Sequence, residues 1–209
     1  MTFSAGMDED LEMPQEFQLG VDVPRLANLK VFTADGAALT LGRVWKNQVA
    51  ILIFLRHFAC LACRAHAAQV WADRDKYEKG GGKLVFIGNG SAKFIDIFKT
   101  DLGIGSALVL TDPSLEAFRA AGFRHGFSYI LNARSVTTAL KLFKDGHRQV
   151  TYTKEAGVHQ QLGGVLAMGT DGAVLYHYIS EFFGDFPEEP YLEVIQADES
   201  RKSLNDPAT

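Results

Sequence analysis

Val49-Ala-Ile-Leu-Ile-Phe-Leu55 runs directly into Arg56-His-Phe-Ala-Cys60-Leu-Ala-Cys63-Arg64, and the reading of this stretch decides the fold. The apolar run is rich in β-branched side chains and offers no polar face, so it belongs in the middle of a sheet covered by helices on both sides. Past Cys63, Ala67, Val70, Trp71 and Tyr77 fit an apolar stripe, while Asp73, Arg74, Asp75, Lys76 and Glu78 supply a wet face. That pattern predicts a single helix, stopped by Gly80-Gly81-Gly82. Lys83-Leu-Val-Phe-Ile-Gly88 is then the next strand. Strand, helix and strand in this order make the two strands parallel, joined by a right-handed crossover.

Upstream, Leu29–Thr33 and Ala37–Leu41 read as two short strands turned by Ala34-Asp35-Gly36. Downstream, residues 91–101 read as a helix and Ala107–Leu110 as a short strand. Asp112 is a natural N-cap for a helix over 113–121, with Pro113 in its first turn and Gly122 as its terminator. Val136, Ala139, Leu140 and Phe143 repeat at i, i+3, i+4 and i+7 and predict an amphipathic helix closed by Gly146. The stretch 144–162 is irregular and polar. Val165–Met168 and Ala173–Ile179 form a hairpin around Thr170-Asp171-Gly172. Tyr191, Leu192, Val194 and Ile195 mark a last amphipathic helix after Pro187 and Pro190. No repeat, linker or break in composition divides the chain. The expected organisation is an acidic arm over 1–20, one α/β domain over 21–197 and a polar tail over 198–209.

Composition excludes several classes. A chain of 209 residues can bury roughly 70% of its unfolded surface without staples. With 47% apolar and 22% charged residues it is neither disordered nor fibrous. Its 21 basic residues against 25 acidic ones leave a net charge of −4, which argues against nucleic acid as a partner. The apolar run 49–55 is far too short to cross a membrane. Asp8, Glu9, Asp10 and Glu12 stand where a signal peptide would need a basic start. A cytoplasmic location is expected.

Cys60 and Cys63 are the only cysteines, and two placed at random fall three apart about once in a hundred times. In a reducing compartment such a pair is more often catalytic or metal-binding than structural. It sits where a buried strand gives way to a helix, the edge at which open α/β sheets build their sites. A cysteine at a helix N-terminus faces unpaired N–H groups and the positive end of the dipole, both of which favour the thiolate. Arg56 and Arg64 add positive charge, as do His57 and His66 when protonated. A thiol near pKa 8.5 is ~3% ionised at pH 7, and one lowered to ~6 is ~90% ionised. Cys60, nearer the helix start, is expected to be the nucleophile, and Cys63, one turn inside, the more protected resolving thiol. Residues i and i+3 share a helix face, so a short disulfide is geometrically open. The plain alternative is two small buried apolar residues. Zinc is a further one, because His57, Cys60, Cys63 and His66 recur every third residue. On one helix, however, such steps drift by about 60° each and the outer pair point apart.

Phe54-Leu-Arg-His-Phe-Ala-Cys-Leu-Ala-Cys-Arg64, Gly88-Asn-Gly-Ser91, Thr111-Asp-Pro-Ser114 and Gln161-Leu-Gly-Gly164, followed by the Asp171-Gly172 turn, stand in an order that resembles a thioredoxin-like domain. More closely, the chain resembles the peroxiredoxin-like 2 branch of the alkyl hydroperoxide reductase/thiol-specific antioxidant superfamily, which includes selenoprotein U and prostamide/prostaglandin F synthase. The matching blocks spread over residues 30–197. The resemblance implies a thioredoxin-like, peroxiredoxin-type three-layer α/β sandwich with a mixed central sheet. It also implies a thiol redox enzyme in which Cys60 holds the position that is selenocysteine in some relatives. The substrate stays open, since relatives are described as reducing peroxides or a prostaglandin endoperoxide. Ordinary peroxiredoxins carry Pro and Thr/Ser seven and three residues before the attacking cysteine. Ile53 and His57 stand there instead, so the usual hydroxyl that orients peroxide is missing and high peroxidase efficiency is not implied. Thioredoxins carry Trp-Cys-Gly-Pro-Cys and a cis-proline before the late hairpin. Ala59, Leu61 and Ala62 replace the first set, and Gly163-Gly164 takes the proline's place, where bare backbone can approach a sulfur or a ligand.

Arg56 is expected to hold Cys60 as thiolate, or to stabilise the oxygen anion formed when an O–O bond breaks. Arg64 is a similar candidate. His57 is a candidate general acid, with an ordinary loop hydrogen bond as the plainer reading. Gly163 and Gly164 are backbone contacts for a substrate, or else permit tight packing at a strand start. Lys144, His147, Arg148 and Lys154 read as a solvated loop that an anionic substrate would find attractive. Tyr176, Tyr178, Phe182 and Phe183 read as packing, with a pocket wall or a homodimer contact as the alternative. The expected function is reduction of a small-molecule peroxide or disulfide through a Cys60–Cys63 redox disulfide. An external dithiol donor such as thioredoxin, or glutathione, would recycle it. No bound cofactor, metal, nucleic acid or membrane is expected. The alternatives are a thiol-disulfide oxidoreductase, a redox-sensing or binding protein without turnover, and a scaffold for one selective step on an oxidised small molecule.

Overall fold

A computed structural model of the chain describes residues 20–130, 133–146 and 154–187. After a short helix α1 (Val23–Asn28), β1 (Lys30–Phe32) and β2 (Ala38–Thr40) form the antiparallel hairpin expected, with Gly36 at φ +81° in its turn. The apolar run becomes β3 (Val49–Phe54), buried at every position. Next come α2 (Leu61–Ala72), α3 (Arg74–Lys79), β4 (Gly82–Gly88), α4 (Lys93–Leu102), β5 (Leu108–Thr111) and α5 (Glu116–Ala120). An α6 (Ala133–Lys144) precedes the closing hairpin of β6 (Gly164–Met168) and β7 (Val174–Ile179).

The strands lie in one mixed sheet in the order β2-β1-β5-β4-β3-β6-β7, with β3, β4 and β5 mutually parallel. Alternate residues of the central strands feed two cores, because successive side chains of a strand point to opposite faces. Ile51, Ile53, Phe86 and Val109 pack with Ala67 and Val70 of α2 and Ile95 and Phe98 of α4. Leu52, Phe54, Val85 and Ile87 pack with Leu26 of α1 and Phe118 of α5. This is the three-layer α/β sandwich that an all-apolar β3 requires.

Three elements differ from expectation. The helix after Cys63 is broken at Asp73, which adopts φ −94°, ψ 8°. The Asp73 N–H bonds back to Val70 at 3.2 Å and the Lys76 N–H to Asp73 at 2.9 Å, so the chain tightens for one turn at a poor helix former. Tyr77 is buried all the same. The helix expected over 113–121 starts only at Glu116, because Leu115 takes the left-handed conformation at φ +62° while its side chain joins the core. Asp112 still caps it, its carboxylate accepting the N–H groups of Ser114 (3.0 Å) and Ala117 (2.7 Å). In α6 the periodic residues Val136, Leu140 and Phe143 face solvent, and Ser135 on the opposite side is the buried one. An apolar stripe ordinarily turns to the core; here the inward side is the one carrying Ser135, whose hydroxyl accepts the Phe183 N–H at 3.3 Å. Most of the acidic arm, His147 and Arg148, the last helix over Tyr191–Ile195 and the polar tail lie outside the described residues.

Candidate active site

β3 and β4 end side by side, with Phe54 in register with Ile87, so the residues that follow the two strands meet at the carboxyl edge of the sheet. From β3 the chain turns through residues 56–59 into α2, whose N-cap is Cys60 at φ −68°, ψ 117°. The cap acceptor is sulfur: Cys60 Sγ accepts the Cys63 N–H at 3.4 Å, the role a serine or aspartate oxygen usually fills. Arg56 is tied to both cysteines. Its backbone N–H donates to Cys63 Sγ at 3.3 Å and its Nη1 to Cys60 Sγ at 3.6 Å. Nη2 donates to the His159 carbonyl at 2.6 Å, and the guanidinium lies over the Phe183 ring, 5.0 Å from its centroid. The two cysteines approach within 2.9 Å of each other and both are free thiols.

This geometry separates the two sulfurs. Burial pushes the Cys60 thiol up, but the hydrogen bond from Cys63, the charge of Arg56 and the Cys63 N–H outweigh it and lower it to about 6. Burial raises Cys63 well above the ordinary range, and its bond to Cys60 and the Cys60 charge raise it further. The expected difference in shielding is absent, however. Both residues are only 1% exposed, so Cys63 is not the more protected.

His57 and His66 do not add charge at neutral pH. Burial, then the charges of Arg56 and His159, lowers His57 to about 3, and burial lowers His66 to about 4. His57 stands edge-on to His159 at 5.7 Å, and His66 is stacked on Phe186 at 4.0 Å. Among the described residues no three His, Cys, Asp or Glu side chains converge as a metal-binding group. Arg64 is turned towards α4, bonded to Asp101 at 2.9 Å and to the Phe58 carbonyl at 3.5 Å, so the cation at the sulfurs is Arg56. Gly163 and Gly164 are needed by the protein's own packing: a Cβ on Gly163 would lie 1.8 Å from the Phe54 carbonyl oxygen, and one on Gly164 2.2 Å from that of Tyr178. Tyr178 donates to Asp185 at 2.7 Å. Lys144 is exposed at the end of α6. Asn89 and the His159 carbonyl were not assigned to this site from the sequence, although Asn89 stands in the Gly88-Asn-Gly-Ser91 block directly after a buried parallel strand; Phe183, expected as packing or a pocket wall, lies over Arg56.

A cysteine at the head of the helix after the first central parallel strand, backed by a late antiparallel hairpin, is the arrangement of a peroxiredoxin-type thioredoxin fold. A model of the AhpC/TSA antioxidant enzyme family matches residues 69–181. The chloroplastic thioredoxin-like protein AAED1 of Arabidopsis thaliana is 30% identical over 179 residues, covering 82% of this chain and 71% of that one. Prostamide/prostaglandin F synthase of Danio rerio is 28% identical over 178 residues, covering 82% and 84%. The crystal structure of peroxidoxin BcpB from Mycobacterium tuberculosis superposes with a TM-score of 0.59 at 14% identity, covering 81% and 92%, a likeness of fold. The chain belongs to the AhpC/TSA family, in its peroxiredoxin-like 2 branch.

Proposed function

We propose that the protein is a two-thiol reductase of peroxides or related oxidised small molecules. The observation that carries this reading is geometric: Cys60 Sγ accepts from the Cys63 N–H at 3.4 Å and from Arg56 Nη1 at 3.6 Å, which lowers it to about 6, while burial and the Cys60 charge push the adjacent Cys63 up. The Cys60 thiolate attacks the distal oxygen of R–O–O–H and the O–O bond breaks. Cys60 becomes a sulfenic acid, oxidised by two electrons, and the peroxide leaves as RO⁻, which takes a proton from solvent to give ROH. Arg56 is assigned the role of meeting that oxygen charge, a reading supported by its buried Nε–H, which has no acceptor among the described residues. The Cys63 thiol then attacks the sulfenic sulfur, its proton leaves with the hydroxide as water, and the Cys60–Cys63 disulfide forms. An external dithiol reduces it by exchange and is itself oxidised. His57, neutral, serves this sequence as packing beside Arg56. A substrate disulfide attacked by Cys60 and resolved by Cys63 is the second reading, favoured by the same 2.9 Å approach.

The test is stopped-flow oxidation of Cys60 by hydrogen peroxide, an organic hydroperoxide and a small disulfide, followed by turnover with a dithiol donor. Cys60→Ser is expected to abolish the reaction, and Cys63→Ser to allow one attack and then arrest. Full multiple turnover by Cys63→Ser would contradict the resolving role, and faster reaction with the disulfide than with either peroxide would favour the second reading.

A further inference from the structure

Asn89 follows β4 directly, is only 2% exposed, and uses both ends of its carboxamide. Its Nδ2 donates to the backbone carbonyl of Arg56, and its Oδ1 accepts the N–H of Val158 at 2.7 Å. The orientation of the amide is forced, because a carbonyl can meet only a donor and an N–H only an acceptor. Val158 precedes His159, whose carbonyl holds Nη2 of Arg56. One side chain therefore grips Arg56 at its peptide and, through the next loop, at its guanidinium. The same loop is fixed to its surroundings elsewhere: the Phe58 N–H bonds to the Ala156 carbonyl at 3.2 Å and the Ser91 N–H to that of Glu155 at 2.7 Å. The fit around the amide is close. A Cβ on Gly157 would lie 2.2 Å from Asn89 Oδ1, so the amide sits here only against a residue without a side chain.

We propose that Asn89 is a positioning residue, which sets the distance of the Arg56 guanidinium from the Cys60 sulfur by holding the Arg56 carbonyl and the Val158 N–H at once. It touches neither sulfur in any contact described above; its effect on Cys60 passes through Arg56. The proposal rests on the reading of Cys60 as the attacking thiolate. Aspartate is the informative replacement, since it keeps the shape and the acceptor for Val158 but sets a carboxylate oxygen against the Arg56 carbonyl. Removing the donor also leaves that buried carbonyl unpaired.

The experiment is the pH dependence of Cys60 alkylation by iodoacetamide, read peptide by peptide, in the full chain and in Asn89→Asp and Asn89→Ala. Both variants are expected to raise the midpoint by about one unit, and the same substitutions in an Arg56→Gln background are expected to add nothing. A folded Asn89 variant with an unmoved midpoint overturns the proposal, and so does an equal shift in the Arg56→Gln background. Hydrogen exchange in the unmodified protein is a second test that needs no variant: the Val158 amide is expected to be protected although it lies in a loop, and exchange at the rate of an open amide overturns the clamp. A midpoint of the unmodified protein within the ordinary thiol range would instead sink the thiolate reading itself, so the two failures are told apart.

Discussion

Arg56 reaches both cysteines, by its peptide N–H to Cys63 and by its guanidinium to Cys60, and so separates two chemically identical thiols. Opposite charge near a thiolate lowers its pKa, whereas desolvation raises it, and at Cys60 the first effect wins only with help from Cys63. Removing the arginine should reverse that order. Arg56→Gln is expected to raise the Cys60 alkylation midpoint from about 6 by about one to two units, with Arg56→Lys in between because a point charge replaces a fork. An unchanged midpoint in Arg56→Gln would show that the Cys63 donors suffice. Stability is linked to the same group. A thiol whose folded value is depressed contributes stability that is full above its unfolded value and is lost as pH falls through about 6. Cys63 acts with the opposite sign, because burial keeps it protonated where an unfolded thiol ionises.

The ring over the Arg56 guanidinium belongs to the turn after β7. Asp185 ties it together, accepting from the Tyr178 hydroxyl and the Glu181 N–H at 2.7 Å each, while its carbonyl accepts the Ser180 hydroxyl at 2.8 Å. Phe183, which lies against the Arg56 guanidinium, rides on that turn. Asp185→Ala should loosen the turn and raise the alkylation rate of Cys60 by about tenfold through more frequent opening, with its pH midpoint little changed. A slower or equal rate would mean that access runs by another route. Much of the frame on which this turn sits was legible in the sequence. The β3 run, the parallel β3–β4 crossover, the hairpin at Gly36 and the late hairpin each rest on a pattern within one element. The break at Asp73, the left-handed Leu115 and the outward face of α6 were not, because each depends on what the rest of the chain packs against. At the site the same division holds: the Cys60/Cys63 spacing and Arg56 are local signals, whereas the His159 carbonyl and Phe183 arrive from strands and loops far along the chain. Arg64 has the right neighbourhood in sequence, but Asp101 on α4 draws it away.

Across the molecule, one seven-stranded sheet with a core on each face leaves His57 and His66 buried in the layer that holds the cysteines. Their folded values, about 3 and about 4, lie below that of a free histidine, so below about pH 6.5 the unfolded chain takes up protons that the folded one refuses. The urea midpoint is expected to fall as pH drops from 7 to 4. His66→Phe, which keeps the stacking on Phe186, should flatten part of that slope and retain up to about 3 kcal/mol at the acid end. An identical slope in the variant would assign the acid sensitivity elsewhere. The sulfur at the cap of α2 has a consequence of its own. Once it carries an oxygen or a second sulfur it is a weaker acceptor, and the first turn of the helix loses the anchor that closes it. If Cys60 is oxidised as proposed, the Cys63 N–H would need another acceptor, and the opening turn of α2 is where the two redox forms are expected to differ.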